Sequence, residues 1–244
     1  MSRLDTLRYL LLQMRNPDDP MRSQEVDCFA SVLGTEAYRI ATGDLLAGFP
    51  SPRELAEYDV VLFGGSGDYS AAGQGAWLDR ILDGMRELAA ESKPTFASCW
   101  GFQALSRALG GECVHDHEHA ELGSAPMTLT AEGESDPVFG ALPQRFLALC
   151  GHEDRVSRLP KGAVLLASSN LVEQQAYVLA GKPVYATQFH PELTKESFMQ
   201  RVRAYPRYVE QISGQPVDTF ERELEETPPA NGLLRAFVEV TFGS

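Results

Sequence analysis

Two short segments far apart in this chain carry side chains that could do covalent chemistry together. The first is Pro94-Thr95-Phe96-Ala97-Ser98-Cys99-Trp100-Gly101-Phe102-Gln103-Ala104-Leu105, an apolar strand pattern running into a helix pattern with a cysteine at the corner. Backbone amides point at a thiol in such a turn and the positive end of the helix dipole lies beneath it, which favours the thiolate. The turn also needs small neighbours, and Ala97 and Gly101 meet that need. Taken alone, a cysteine is more often a buried small hydrophobe. The second segment, Pro183-Val184-Tyr185-Ala186-Thr187-Gln188-Phe189-His190-Pro191-Glu192, changes the balance, because its strand pattern exits into an imidazole and a carboxylate two positions apart. Side chains i and i+2 of an extended segment share a face, so Glu192 can reach the ring of His190. Without Cys99, a capped strand end with a solvated His-Pro-Glu would explain the motif as well. Together, the thiol, the imidazole and the carboxylate make the nucleophile, general base and orienting group of a thiol hydrolase.

Acyl transfer through a thiol needs donors for the oxyanion of the tetrahedral intermediate. One is the N–H of Trp100, directly after the cysteine. The other comes from Gly64-Gly65-Ser66-Gly67-Asp68-Tyr69-Ser70, where the missing side chain of Gly65 lets a backbone N–H approach the substrate. A plain strand-to-helix turn is the competing reading of that loop.

The elements that must hold these residues alternate along the chain. Leu7 to Leu12 reads as a strand, Ser23 to Leu33 as a helix with apolar Val26, Phe29, Ala30 and Leu33, and Tyr38 to Ala41 and Asp59 to Phe63 as strands. Such alternation predicts a three-layer α/β/α sandwich with a mainly parallel, mixed central sheet, its site beyond the carboxyl ends of the strands. Later strands are expected at Met127 to Thr130, Phe146 to Leu149, Ala163 to Ala167, Ala176 to Leu179 and Val184 to Phe189. Turns at Leu142-Pro143, Pro160-Lys161-Gly162 and Ala180-Gly181-Lys182-Pro183 imply antiparallel pairing there. Helices are expected over Thr194 to Ser213 and Asp218 to Glu226. Pro228-Pro229 should end the latter, and a last helix shows its apolar face at Leu233, Leu234, Phe237 and Val238. The whole chain, 1–244, reads as one domain, with 194–244 a C-terminal helical extension.

With 244 residues, 43% of them hydrophobic, the chain can bury a full core, and it has no apolar run long enough to span a bilayer. The start, Met1-Ser2-Arg3-Leu4-Asp5, lacks the pattern of a secretion leader, and the four cysteines (Cys28, Cys99, Cys113, Cys150) are scattered, as reduced thiols are. A cytoplasmic location is the expectation. A net charge of −13 without a basic block argues against a nucleic-acid partner.

The ordered motifs resemble those of the class I glutamine amidotransferases, in which a G-x-C-x-G-x-Q elbow precedes a distant H-P-E. Here the elbow is Ala97-Ser98-Cys99-Trp100-Gly101-Phe102-Gln103, with Ala for the first Gly, and the distal motif is intact. Between them, Glu121-Leu122-Gly123 is similar to the family's Glu-apolar-Gly segment. His152-Glu153-Asp154-Arg155-Val156 with Leu159-Pro160 resembles its Ser-His-Gly-Asp-x-Val stretch, and Gln174-Gln175-Ala176-Tyr177 its Gln-Ala-aromatic strand. The likeness spans residues 5 to 195. It implies that Cys99 is the nucleophile, His190 the base and Glu192 its orienter, with Gly65 and Trp100 as oxyanion donors. Substrate contacts would come from Gln103, Gly64, Ser66, Gly151, His152 and Glu153, the backbone of Gly151 and Glu153 meeting the α-amino and α-carboxylate ends of a glutamyl group. Glu153 stands where the family has Gly, a departure shared with plant-type gamma-glutamyl peptidases, which are also similar in length and in their C-terminal helices.

The chemistry so implied is cleavage of a γ-glutamyl amide through a thioester, with no metal or organic cofactor. Three readings stay open: a glutaminase subunit that supplies ammonia to a synthetase partner, a free-standing γ-glutamyl peptidase, and a ligand-sensing relative without activity. The alternating His115-Asp116-His117-Glu118-His119 reads as a solvated loop, a metal-binding strand face being the alternative. The run Glu221 to Glu226 reads as a solvated helix face.

Overall fold

Leu10, Leu11 and Leu12 project alternately to opposite sides of one strand, yet all three are buried, so protein must cover both faces. That strand, β1 (Tyr9–Gln13), belongs to a nine-stranded sheet in the computed structural model, which describes residues 3–206, 209 and 212–243. The other strands are β2 (Ile40–Asp44), β3 (Val60–Phe63), β4 (Thr95–Ser98), β5 (Glu112–His115), β6 (Glu121–Leu129), β7 (Arg145–His152), β8 (Asp154–Arg158), β9 (Ala163–Ser169), β10 (Ala176–Leu179) and β11 (Val184–Thr187). The sheet runs β2-β1-β3-β4-β11-β10-β9-β6-β7, parallel from β2 to β11 and antiparallel from there to β7. The expected mixed sheet is present, and its antiparallel part is extensive. Gly181, at φ 71°, closes the tight β10–β11 hairpin.

The helices are α1 (Met21–Leu33), α2 (Pro52–Leu55), α3 (Ala76–Ala90), α4 (Trp100–Ala108), α5 (Ala131–Ser135), α6 (Lys195–Ala204), α7 (Val217–Glu223), α8 (Pro228–Asn231) and α9 (Leu233–Phe242). Phe29 of α1 and Leu234 and Phe237 of α9 share a core with Leu11, Val60, Leu62 and Phe96. On the opposite face Leu78, Ile81 and Met85 of α3 and Phe102 and Leu105 of α4 pack with Leu10, Leu12, Val61 and Phe63. These two cores make the α/β/α layering. A third cluster, with Leu149, Leu193, Phe198, Val202 and Phe220, seats α6 and α7 beside the strand ends.

Several elements differ from expectation. A 3₁₀ turn (Ala37–Arg39) occupies the start of the predicted strand at Tyr38, moving β2 to Ile40–Asp44. The β5–β8 ribbon is additional, and α3 fills the crossover between β3 and β4. The helix predicted over 194–213 is seen as α6, and its continuation across 207, 208, 210 and 211 lies outside the described residues, as do Met1 and Ser2. The helix predicted over 218–226 stops at Glu223, where Leu224 turns into the third core; Pro228 and Pro229 then open α8, since their missing N–H groups cost nothing in a first turn. Among the described residues no helix is long and apolar enough to cross a membrane.

Candidate active site

Strands β3, β4 and β11 are parallel neighbours, so their carboxyl ends deliver Gly64-Gly65, Cys99 and His190 to one place. Cys99 has φ 51° and ψ −107°, a conformation that costs an ordinary residue on the order of 1–3 kcal/mol. Its N–H donates to Thr187 O at 2.8 Å, and the N–H of Gly101 donates to Gly64 O at 3.1 Å, which ties the elbow to the glycine loop. A Cβ on Gly101 would stand 2.5 Å from that of Phe63, so only glycine lets the helix start this close to β3. The N–H groups of Gly65 and Trp100 have no acceptor among the described residues, leaving both free for an anionic oxygen.

The N–H of His190 donates to Leu149 O at 2.8 Å, and its Nδ1 lies 2.6 Å from Oε1 of Glu192. The ring borders the same cavity as Cys99. Burial disfavours the charged ring, but the Glu192 carboxylate and the Cys99 sulfur carry its pKa up to about 9. Glu192, itself raised by burial, is held below its usual value by His190 and then Arg201, whose Nη1 lies 3.7 Å away. The Cys99 Sγ sits 3.8 Å from Gly151 O. Burial pushes the Cys28 and Cys150 thiols up and raises Cys113 to about 12.

The other predicted contacts divide. Ser66, Gln103, Gly151, His152 and Glu153 do border one small cavity beside Cys99, of about 160 Å³. Within it, the Gln103 amide nitrogen donates to Asp154 O at 2.7 Å and to Gln188 Oε1 at 3.3 Å. The His152 ring is buried, with Nε2 3.1 Å from Glu121 Oε2. The Glu153 carbonyl accepts the Asp116 N–H at 3.1 Å, and its carboxylate lies 3.3 Å from His117 Nδ1. Gly64 is not at the cavity wall; a Cβ there would strike the Glu25 carboxylate. The imidazoles of 115–119 address three separate carboxylates, Asp154 at 2.9 Å, Glu153 at 3.3 Å and Asp116 at 2.9 Å, instead of converging.

Two positioning residues escape local sequence reading. Asn231 of α8 donates to Pro191 O at 2.9 Å and Leu193 O at 2.7 Å, clamping the loop that carries Glu192. Arg201 of α6 lies between Glu192 and Glu25 and receives support from Gln24 Oε1 at 3.0 Å. Neither residue belongs to a motif, and only the packing of the C-terminal helices brings them here.

A thiol and an oriented imidazole lining one cavity, flanked by two backbone amides without an acceptor among the described residues, form an arrangement suited to acyl transfer. Residues 47–203 match the family described as Glutamine amidotransferase class-I. The chain belongs to that family. Among its relatives, gamma-glutamyl peptidase 3 of Arabidopsis thaliana is 28% identical over 182 residues, covering 71% of this chain and 71% of that protein. One subunit of the glutamine-hydrolyzing GMP synthase of Sulfolobus acidocaldarius is 33% identical over 161 residues, 66% of this chain and 78% of that protein. The crystal structure of a glutamine amidotransferase from Thermotoga maritima has the same fold, with a TM-score of 0.75 at 23% identity over 97% of this chain and 99% of that one. In this class I glutamine amidotransferase the elbow and the His190 loop fall within the matched residues, whereas Asn231 lies beyond them.

Proposed function

We propose that this chain hydrolyses a γ-glutamyl amide through a thioester on Cys99. The Cys99 sulfur attacks the γ-carbonyl carbon with the thiol's proton already held on His190, and the N–H groups of Gly65 and Trp100 hold the oxyanion. His190 then gives the proton to the leaving nitrogen as the C–N bond breaks. Next it removes a proton from water, whose oxygen attacks the thioester, and glutamate leaves with the thiol restored. Glu192 orients the imidazole and offsets the imidazolium charge. The polar cavity between Gln103 and Glu153 receives the glutamyl group.

The observation that carries this reading is the 2.6 Å contact from Glu192 to a His190 ring that borders the same cavity as the sulfur of a strained strand-to-helix elbow. Likeness to a gamma-glutamyl peptidase favours a free-standing enzyme; likeness to one subunit of a GMP synthase favours a glutaminase feeding a synthetase. Specific activity on glutamine and on γ-glutamyl peptides, measured for purified protein and in cell extract with Cys99→Ala as blank, tests both. Turnover by the protein alone supports the peptidase reading. Glutaminase activity that appears only with a co-purifying protein supports the synthetase-partner reading, and silence under every condition refutes hydrolysis.

A further inference from the structure

Two cavities meet at Cys99, and they differ in size, polarity and in which of them His190 borders. The smaller, about 160 Å³, is the polar one already assigned to the glutamyl group. The larger, about 420 Å³, shares Ser66, Gly67, Cys99 and Gly151 with it and adds His190. The group that protonates a leaving nitrogen must stand on that nitrogen's side. If His190 is that acid, the larger cavity is the leaving-group side.

Ammonia would leave most of that space unfilled, since a water-sized molecule takes only about 30 Å³ in the liquid. The wall is chiefly apolar: Leu122, Leu193, Phe198, Val202 and the Tyr205 ring face it, supplied largely by the third core under α6. Two guanidinium groups also border it, Arg15 hydrogen-bonded to its carboxylates and Arg201 paired only at ion-pair distance, its Nη2 without a hydrogen-bond partner among the described residues. Arg15 is 3.0 Å from Glu25 and 3.1 Å from Asp19, and Arg201 is 3.8 Å from Glu25 and 3.7 Å from Glu192. Counting His190, three cations face the three carboxylates of Asp19, Glu25 and Glu192, so the wall carries no surplus positive charge to draw in a further anion. Tyr205 is likewise occupied, its hydroxyl donating to Asp19 at 2.7 Å.

From this we infer that the larger cavity is a leaving-group subsite for a neutral, apolar amine, so that the preferred substrate is an N-aryl-alkyl or N-alkyl γ-glutamyl amide in place of glutamine or a γ-glutamyl amino acid. The inference rests on the proposed hydrolysis. The bond broken is the same amide C–N bond, and the amine takes its proton from His190. An apolar pocket discriminates by roughly tenfold or more for each well-buried increment of hydrocarbon, and a carboxylate placed there would lose its hydration against a wall with no surplus positive charge.

The test compares kcat/KM of the purified chain for glutamine, γ-glutamyl-phenethylamide and γ-glutamyl-phenylalanine, which has the same ring and adds a carboxylate. The expected result is at least tenfold preference for the phenethylamide over both, and at least a tenfold fall in that preference in Val202→Trp, which fills the cavity. Glutamine or γ-glutamyl-phenylalanine cleaved as well as the phenethylamide would overturn the subsite and leave the hydrolytic reading standing. Calorimetry on Cys99→Ala separates binding from chemistry and is independent of whether Val202→Trp folds. Tighter binding of γ-glutamyl-phenethylamide than of γ-glutamyl-methylamide supports the subsite even where wild type cleaves neither, an outcome that refutes hydrolysis alone; equal binding overturns the subsite.

Discussion

A Cβ built on Gly65 would stand 2.9 Å from Cε1 of His190. The proposed oxyanion loop and the proposed base are therefore packed face to face, and the absence of one methyl group sets their separation. Gly65 has no left-handed backbone angle, so alanine would fit the chain and clash only with the ring. Gly65→Ala is expected to keep the fold and to lower kcat by about a hundredfold, the scale of a misplaced catalytic group. An unchanged kcat with an unchanged melting temperature would show that the ring is not positioned against this glycine.

Substitutions at the three clustered residues should differ in kind. Cys99→Ala removes the sulfur without adding volume at the elbow, so hydrolysis should vanish while the circular dichroism spectrum persists. His190→Asn should fail comparably. Glu192→Gln keeps a hydrogen-bonding oxygen toward Nδ1 but loses the charge, and its kcat should fall less than that of the other two. Near-wild-type turnover in Cys99→Ala would remove the thioester from the mechanism.

Much of this arrangement was legible in the chain. Val60–Phe63, Thr95–Ser98 and Val184–Thr187 are buried on both faces, and buried parallel strands are written as continuous apolar runs, so the strands that carry the elbow, the glycine loop and His190 could be read directly. The β5–β8 ribbon could not, because Glu112, His115 and Arg158 are exposed and its alternation resembles a polar loop. Helix α3 did carry its signal in Leu78, Ile81, Leu82, Met85 and Leu88, which recur at helical spacing along its buried side. What no spacing reveals is contact made over long stretches of chain. Arg15 meets the site through Glu25, Arg201 reaches Glu192 from the following helix, and Gly64 is small because the Glu25 carboxylate passes over it.

The His190 pKa, raised to about 9 from an ordinary 6.5, links stability to pH. A group whose folded pKa is raised contributes stability that is complete below its unfolded pKa and is lost as pH climbs through the folded one. The contribution should hold below pH 6.5 and disappear as pH approaches and passes 9. Its size is on the order of 3 kcal/mol. Melting temperatures from pH 6 to 10 should therefore decline more steeply in wild type than in His190→Asn. Parallel curves would mean that His190 is not held protonated by Glu192 and Cys99.

Asn231 offers the sharpest separation of positioning from chemistry. Its side-chain amide donates to Pro191 O and Leu193 O, the two carbonyls that flank Glu192, yet it belongs to α8 and touches none of the three clustered side chains. Asn231→Ala would strip both carbonyls of a partner in a partly buried loop, at about 1–3 kcal/mol for each one left unsatisfied. Asn231→Asp is nearly isosteric but replaces the donor with a charge that repels the same carbonyls. The alanine variant should melt lower and lose kcat more than KM changes, because a looser Glu192 orients His190 less well without altering the glutamyl cavity. The aspartate variant should be no better, whereas Asn231→Gln, which retains the donor on a longer arm, should recover part of the loss. A uniform rise in KM across the three variants, with kcat and its pH profile intact, would place Asn231 on the substrate side and end its assignment as the clamp of the Glu192 loop.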